Sequence, residues 1–234
     1  MSNMNKIIGF DESYGIITAQ SGAILLDMQN HLGAIGYSMP LDLGAKGSCQ
    51  IGGNLSTNAG GIHFIKHNSL HANCIGLKAV LASGEILDNI TTLRKDNTGY
   101  DLKHLFIGAE GTLGVITECA ILCPPQPKSK QLAILACESF EDVVEILKKA
   151  KIQLSDILQA CEFMDADSMN VTVDQMKKDK VFDQSYPFYS IIEVASNNDP
   201  EVVPEDSERL LEFIEQVSEH IHDGIVPQGE SQAQ

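Results

Sequence analysis

The sequence predicts an α+β protein made of two dissimilar segments, residues 1–125 and 126–234, and three observations carry that expectation. Glycine is uneven: 17 of the 19 lie before residue 125, and only Gly224 and Gly229 follow it. Charge divides at the same place, with 7 basic and 10 acidic side chains in residues 1–125 (net −3) and 9 and 22 in residues 126–234 (net −13). The boundary reads Cys123-Pro-Pro-Gln-Pro127. Its prolines remove backbone donors and fix φ, so neither a helix nor a central strand runs through it.

In the first segment, short apolar runs lie between turn signals. Gly15–Gln20, Leu77–Ala82 and Gly114–Leu122 read as strands. Ser83-Gly84 is a hairpin-type turn leading into Glu85–Asp88. Leu25 to Leu32 reads as one short helix closed by Gly33. The second segment alternates. Leu132–Cys137 is strand-like, and Ser139 offers an N-cap with Asp142 three residues on and apolar residues following at helical spacing. Ala160–Met164 and Phe188–Val194 read as further strands. A helix from about Pro204 to Glu219 places Leu210, Leu211, Phe213, Ile214 and Val217 along one stripe. This is a layer of helices on one face of a mainly antiparallel sheet. The tail Gln228–Gln234 is polar and expected to fray.

Composition narrows the function classes. A net charge of −16 argues against nucleic acid or an anionic membrane surface as partner. No window approaches the 18 to 20 apolar residues of a membrane span. The N-terminus, MSNMNKIIGFDESYG, has neither the apolar core of a signal peptide nor the Arg-rich pattern of a transit peptide. Six cysteines at 49, 74, 119, 123, 137 and 161 form no C-x-x-C pair, so buried, reduced thiols are expected rather than a zinc site or disulfide framework.

The chemistry concentrates in two glycine-rich blocks. Between Pro40 and Gly61, six glycines fall within 18 residues, interleaved with Ser48, Asn54, Ser56, Thr57 and Asn58. Such a stretch makes a poor helix and a poor strand. Without Cβ atoms its backbone can come close to a ligand, and consecutive N–H groups can converge on an anion. The second block, Gly108-Ala-Glu-Gly-Thr-Leu-Gly114, runs directly into a strand. Neither a Walker A nor a G-x-G-x-x-G pattern occurs. An irregular glycine-rich surface loop is the competing reading. His63, His67 and His71 are spaced by four, but their glycine-rich context argues for a loop. His220-x-His222 sits at a helix end, where imidazoles favour the C-terminal dipole. Asp165 and Asp167 read as a turn or helix cap, and Lys95, Asp96 and Asp101 as organisers of their loop.

The two blocks, with Arg94-Lys-Asp-Asn-Thr-Gly-Tyr-Asp-Leu-Lys103 between them, resemble the PCMH-type FAD-binding domain of the vanillyl-alcohol-oxidase-type flavoproteins. The resemblance is closest to the D-2-hydroxyglutarate dehydrogenases and their D-lactate dehydrogenase relatives. It covers nearly the whole chain and includes Phe163-Met-Asp165 and the Pro187-Phe-Tyr strand of a ferredoxin-like substrate (cap) domain. It implies the later part of an FAD-binding domain followed by the earlier part of a cap domain. The implied chemistry is hydride transfer from a D-2-hydroxy acid, foremost D-2-hydroxyglutarate, to FAD, with electrons passed to a separate acceptor. Gly52, Gly53, Asn54, Thr57, Asn58, Gly60 and Gly61 are then implied to line the pyrophosphate and isoalloxazine. Pro40, Leu41 and Ser48 would touch the same cofactor, and Glu110, Gly111, Gly114, Val115 and Ile116 would continue the wall toward the adenosine.

The resemblance also implies a mitochondrial setting. Relatives carry an earlier glycine-rich loop, a substrate-binding arginine and a histidine-rich zinc motif, none of which this sequence matches. No catalytic or metal-ligating residue is therefore expected here, and the chain alone is expected to be inactive. At the local level, His63, Lys66 and His67 stand where relatives show Arg, Arg and Tyr, and Asn68 stands for a glycine. The rival expectation is a non-catalytic chain that pairs with a full-length relative.

Overall fold

A computed structural model describes residues 1–175, 180–198 and 206–227. The chain forms two compact units, Met1–Gln126 and Pro127–Gln234. The expected helix start at Pro204 and the tail Gln228–Gln234 lie outside the described residues.

The first unit runs β1 (Ile7–Asp11), β2 (Ile16–Gln20), α1 (Leu25–Gly33), α2 (Ile51–Ser56), α3 (Phe64–His67), α4 (Leu70–Asn73), β3 (Cys74–Val80), β4 (Ile86–Asn89), α5 (Lys103–Phe106) and β5 (Val115–Leu122). Among the described residues its sheet has the order β1-β2-β5-β3-β4, with each neighbouring pair antiparallel. β5 is central, and Ile116, Cys119, Ala120 and Ile121 along it are buried. Leu25, Met28 and Leu32 of α1, Ile51 and Leu55 of α2 and Leu70 of α4 join Ile116, Cys119 and Ile121 in one core. Lys78 on β3 stands directly opposite Asp88 on β4 and Glu118 on β5, 3.1 and 3.0 Å away. That cross-strand pairing helps fix the register of three strands.

The sequence reading needs three amendments here. Gly33 ends α1 without turning the chain; the left-handed residue is Gly36, at φ 78°. β1 adds an outer strand that the sequence reading did not contain. The first glycine block, expected to form neither helix nor strand, contains α2.

The second unit runs β6 (Ser129–Cys137), α6 (Phe140–Gln153), β7 (Leu158–Asp165), α7 (Ala166–Asp174), β8 (Phe188–Ser196), α8 (Asp206–Gln216), a 3-10 turn (Ser218–His220) and β9 (Asp223–Ile225). Its antiparallel sheet has the order β7-β8-β6-β9. With α6 and α8 as the connecting helices, this is the ferredoxin-like β-α-β-β-α-β topology. α6 buries Val143, Ile146 and Ala150, and α8 buries Leu210 and Phe213.

Ser139 and Asp142 close a reciprocal capping box on α6, each side chain accepting from the other's amide at 3.2 Å. Asp165 caps α7 by accepting from the Ser168 amide at 2.8 Å. His220, expected to rest at a helix end, closes the 3-10 turn and also places Nδ1 2.9 Å from Asp142 Oδ1. Among the described residues no helix is long and apolar enough to cross a membrane.

Candidate cofactor site

α2 forms despite Gly52 and Gly53 because Ile51 and Leu55, four residues apart, both sit fully buried in the core. Two helical glycines cost about 0.5–1 kcal/mol each relative to alanine, and burying an isoleucine and a leucine outweighs that at about 1.5–3 kcal/mol each. The first amides of this block meet protein carbonyls: Ile51 donates to Ala23 O at 3.0 Å and Gly52 to Ser21 O at 2.8 Å. The expected cradle of free amides is in this part a hydrogen-bonded join to the end of β2.

Close approach explains two of the glycines. A Cβ on Gly52 would collide with Ser21, and one on Gly61 would collide with the backbone of Asp42. Asp42 is itself well anchored. Burial raises its pKa, but hydrogen bonds from Gln29 and Lys46 outweigh that and hold it below the usual carboxylate value.

The remaining residues of the first block divide by exposure. Pro40 and Leu41 are buried, with Leu41 in the core, so its side chain is engaged in packing. Ser48 is exposed and donates to Ala45 O at 3.3 Å. Gly53 is exposed, and nothing lies within 4 Å of where its Cβ would be. Asn54 is buried, and its Oδ1 has no hydrogen-bond partner. Thr57 is exposed, its hydroxyl donating to Gly53 O at 3.1 Å. Asn58 takes φ 50° and accepts from the His71 amide at 2.9 Å. Gly60 is exposed against the Phe64 ring.

In the second block, Glu110 and Gly111 turn the chain at φ 50° and 80°, both exposed, and Gly111 faces open space. Gly114 lies against β3, where a Cβ would sit 2.7 Å from Val80 O. Val115 is 54% exposed while Ile116 is buried.

The two blocks, about 50 residues apart in sequence, are joined in space. The Gly108 amide donates to Leu55 O at 3.0 Å and the Glu110 amide to Ser56 O at 2.9 Å. Gly53, Thr57, Gly60, Gly108, Glu110 and Gly111 are thus exposed residues of the two joined blocks. Two cavities of the first unit, about 270 Å³ and about 340 Å³, lie elsewhere and contain none of the expected cofactor residues. Arg94 lines both.

Between the blocks, Asp96 accepts from the Thr98 amide at 2.9 Å and Asp101 pairs with Lys103 at 2.6 Å, as loop organisers. Burial first, then the charges of His63 and Lys66, push His67 down to about 4. The sequence reading missed Ser21, on which Gly52 rests, and His104, which stacks on His71. All six thiols are free; Cys49 and Cys161 are only half-buried, the other four buried. Burial pushes Cys74 and Cys123 up to about 12.

The model of the FAD binding domain matches residues 1–89, and that of the FAD linked oxidases, C-terminal domain, matches residues 126–234. The chain belongs to the FAD-linked oxidase family. Among its relatives, the mitochondrial D-2-hydroxyglutarate dehydrogenase of Danio rerio is 47% identical over 227 residues, covering 96% of this chain and 42% of the relative. The enzyme of the same name in Rattus norvegicus is 44% identical over 226 residues, covering 97% and 41%. The chain therefore spans about two-fifths of the length of these curated relatives. A solved structure of alkyldihydroxyacetonephosphate synthase covers 100% of this chain and 44% of its own, with a TM-score of 0.77 at 19% identity, which shows a shared fold.

Proposed function

We propose that this FAD-linked oxidase chain supplies one wall of the flavin site of a D-2-hydroxy-acid dehydrogenase, with D-2-hydroxyglutarate as the foremost substrate. The observation that carries the reading is the join of the two glycine blocks by Gly108 and Glu110. The surface fits a flavin dinucleotide in two respects. Gly53 and Gly111 are exposed glycines whose missing Cβ atoms no neighbouring atom requires, which leaves room for a ligand to lie against the backbone. Asn54, next to Gly53, keeps a buried oxygen without a partner, a state that costs free energy until something donates to it.

Gly53, Asn54, Thr57, Asn58 and Gly60 would hold one part of FAD and Glu110, Gly111 and Val115 another. When bound, FAD supplies the acceptor for the hydride of the 2-hydroxy acid. The residues of this chain position and shield it. Val115 and Leu113, 54% and 49% exposed, offer apolar contact to a ring. Because the surface is open, water reaches it and the chain alone binds FAD weakly. Zinc does not fit the described residues, among which no group of three or more His, Cys, Asp or Glu comes together.

The test is titration of FAD into the purified chain, followed by flavin fluorescence, then addition of D-2-hydroxyglutarate. Saturable weak binding without bleaching of the flavin is expected. A tight stoichiometric yellow complex would contradict the open-surface argument, and no binding at all would remove the reading.

A second reading is favoured by exposed apolar residues at the sheet margin, with Ile86 on the outer strand β4 66% exposed. In it the chain pairs with a full-length relative through an open strand edge. Size-exclusion chromatography with and without the intact relative separates the two; unshifted elution removes the second.

A further inference from the structure

The chain has two arginines, and they are placed differently. Arg209 makes a two-pronged ion pair with Asp156, at 2.7 and 2.8 Å. The Arg94 guanidinium has no hydrogen bond or ion pair among the described residues, and it stands on the wall of the first unit's cavity of about 340 Å³.

The rest of that wall is held in place by the fold. Asp11 closes the turn between β1 and β2, its carboxylate accepting from the Ser13 and Tyr14 amides at 3.0 and 3.3 Å. Gly15 follows at φ 67°, where a Cβ would meet Cys123 O and the Tyr37 ring. Tyr37 packs edge-on against Phe10, with centroids 4.7 Å apart, and its hydroxyl donates to Glu12 O at 3.2 Å. Asn73 is pinned by its side-chain amide, which donates to Ser69 O at 3.0 Å. Tyr14, Tyr37, Pro124 and Pro125 give the cavity flat, largely apolar sides. Among its described lining residues, those charged at pH 7 are Arg94 and Glu12. His67, held at about 4 chiefly by burial, is neutral there, and burial pushes the Cys123 thiol up to about 12.

We infer that this cavity is a site for a small monocarboxylate with a flat, apolar body, the carboxylate held by Arg94 and the body by the tyrosine and proline side chains. A planar guanidinium presents paired N–H donors that match the two oxygens of a carboxylate. Glu12 on the same wall limits the ligand to one negative charge, because a second would meet its carboxylate. The volume suits a small molecule, and walls fixed in advance lower the cost of holding one.

The site is independent of the flavin reading. Leu122 and Cys123 bring the cavity to one end of β5, whereas Val115, assigned above to the flavin surface, opens the strand at the other. At about 3.4 Å per residue, the ends of this eight-residue strand lie more than about 20 Å apart.

The experiment is titration of benzoate into the full chain at pH 7 without flavin, followed by amide shifts in NMR. The Gly15, Tyr37 and Asn73 amides are expected to shift along one saturation curve in the millimolar range. Benzyl alcohol keeps the ring without the charge, and phthalate adds a second carboxylate; each is expected to bind about tenfold more weakly. Arg94→Gln is expected to weaken benzoate by about tenfold and to leave benzyl alcohol unchanged.

Absence of a saturable benzoate shift overturns the proposal. So does equal affinity for benzoate in Arg94→Gln. Shifts at Tyr100 and Asp101 in place of Gly15 and Tyr37 overturn it too, since they put the ligand in the other cavity that Arg94 lines. Phthalate binding as tightly as benzoate overturns the limit set by Glu12 and the proposed ligand class with it. Should Arg94→Gln not fold, the wild-type contrast between benzoate and benzyl alcohol decides alone.

Discussion

The Glu110 amide donates to the Ser56 carbonyl across 2.9 Å, and with the neighbouring Gly108–Leu55 bond it fastens two glycine-rich stretches that the sequence keeps apart. The join runs from the end of a six-residue helix to a turn whose two central residues have positive φ. Changes at either side should therefore be felt at the other.

The two adjacent glycines of α2 should behave oppositely. Gly52→Ala drives a methyl group into Ser21 and should lower stability by about 1–3 kcal/mol. Gly53→Ala meets open space in a helix and should raise stability by about 0.5–1 kcal/mol. Urea denaturation of both variants checks the sign, and flavin titration of Gly53→Ala should show weaker binding despite the gain in stability.

Asn68 takes φ 60° and ψ −164°, a region that only glycine occupies without strain. Asn68→Gly should stabilise the chain by about 1 kcal/mol, seen as a higher urea midpoint at unchanged slope.

His67, with its value pushed down to about 4, is neutral at pH 7. A lowered folded-state value contributes stability that is present above the ordinary 6.5 and lost as pH falls toward 4. The ring protons of His67 should titrate near pH 4 by NMR, and His67→Gln should flatten the loss of stability between pH 6.5 and pH 4.

Asp142 is held below the usual carboxylate value first by its bond with Ser139 and then by His220. That contribution is present above the ordinary value and disappears as the carboxylate protonates in acid. Ser139→Ala should cost about 0.5–2 kcal/mol at pH 7, and less as pH falls through the lowered Asp142 value, by thermal denaturation followed with circular dichroism.

Legibility in the sequence followed the length of each signal. β2, β3 and β5 are largely apolar runs bordered by turn residues, and the capping box of α6 is a local pattern, so these are readable from neighbours alone. α2 is not, because Gly52 and Gly53 conceal a helix whose only sign is the Ile51–Leu55 spacing. β1 escapes because its pairing with β2 is irregular between Ile7 and Gly9 and its residues are only partly covered. α3, α4 and α5 have four residues each, too few to show a helical period. The glycine blocks are visible as composition, but their contact is not. His71 and His104 stand 33 positions apart, with no local sign that they touch.

The account depends on FAD lying against the joined glycine blocks. Amide shift mapping by NMR during FAD titration tests this most directly. The prediction is that Gly53, Thr57 and Gly111 shift together with one saturation curve while the amides of β6 and α6 stay unmoved. Shifts confined to the second unit, or none at Gly53 and Gly111 while flavin fluorescence reports binding, would contradict it.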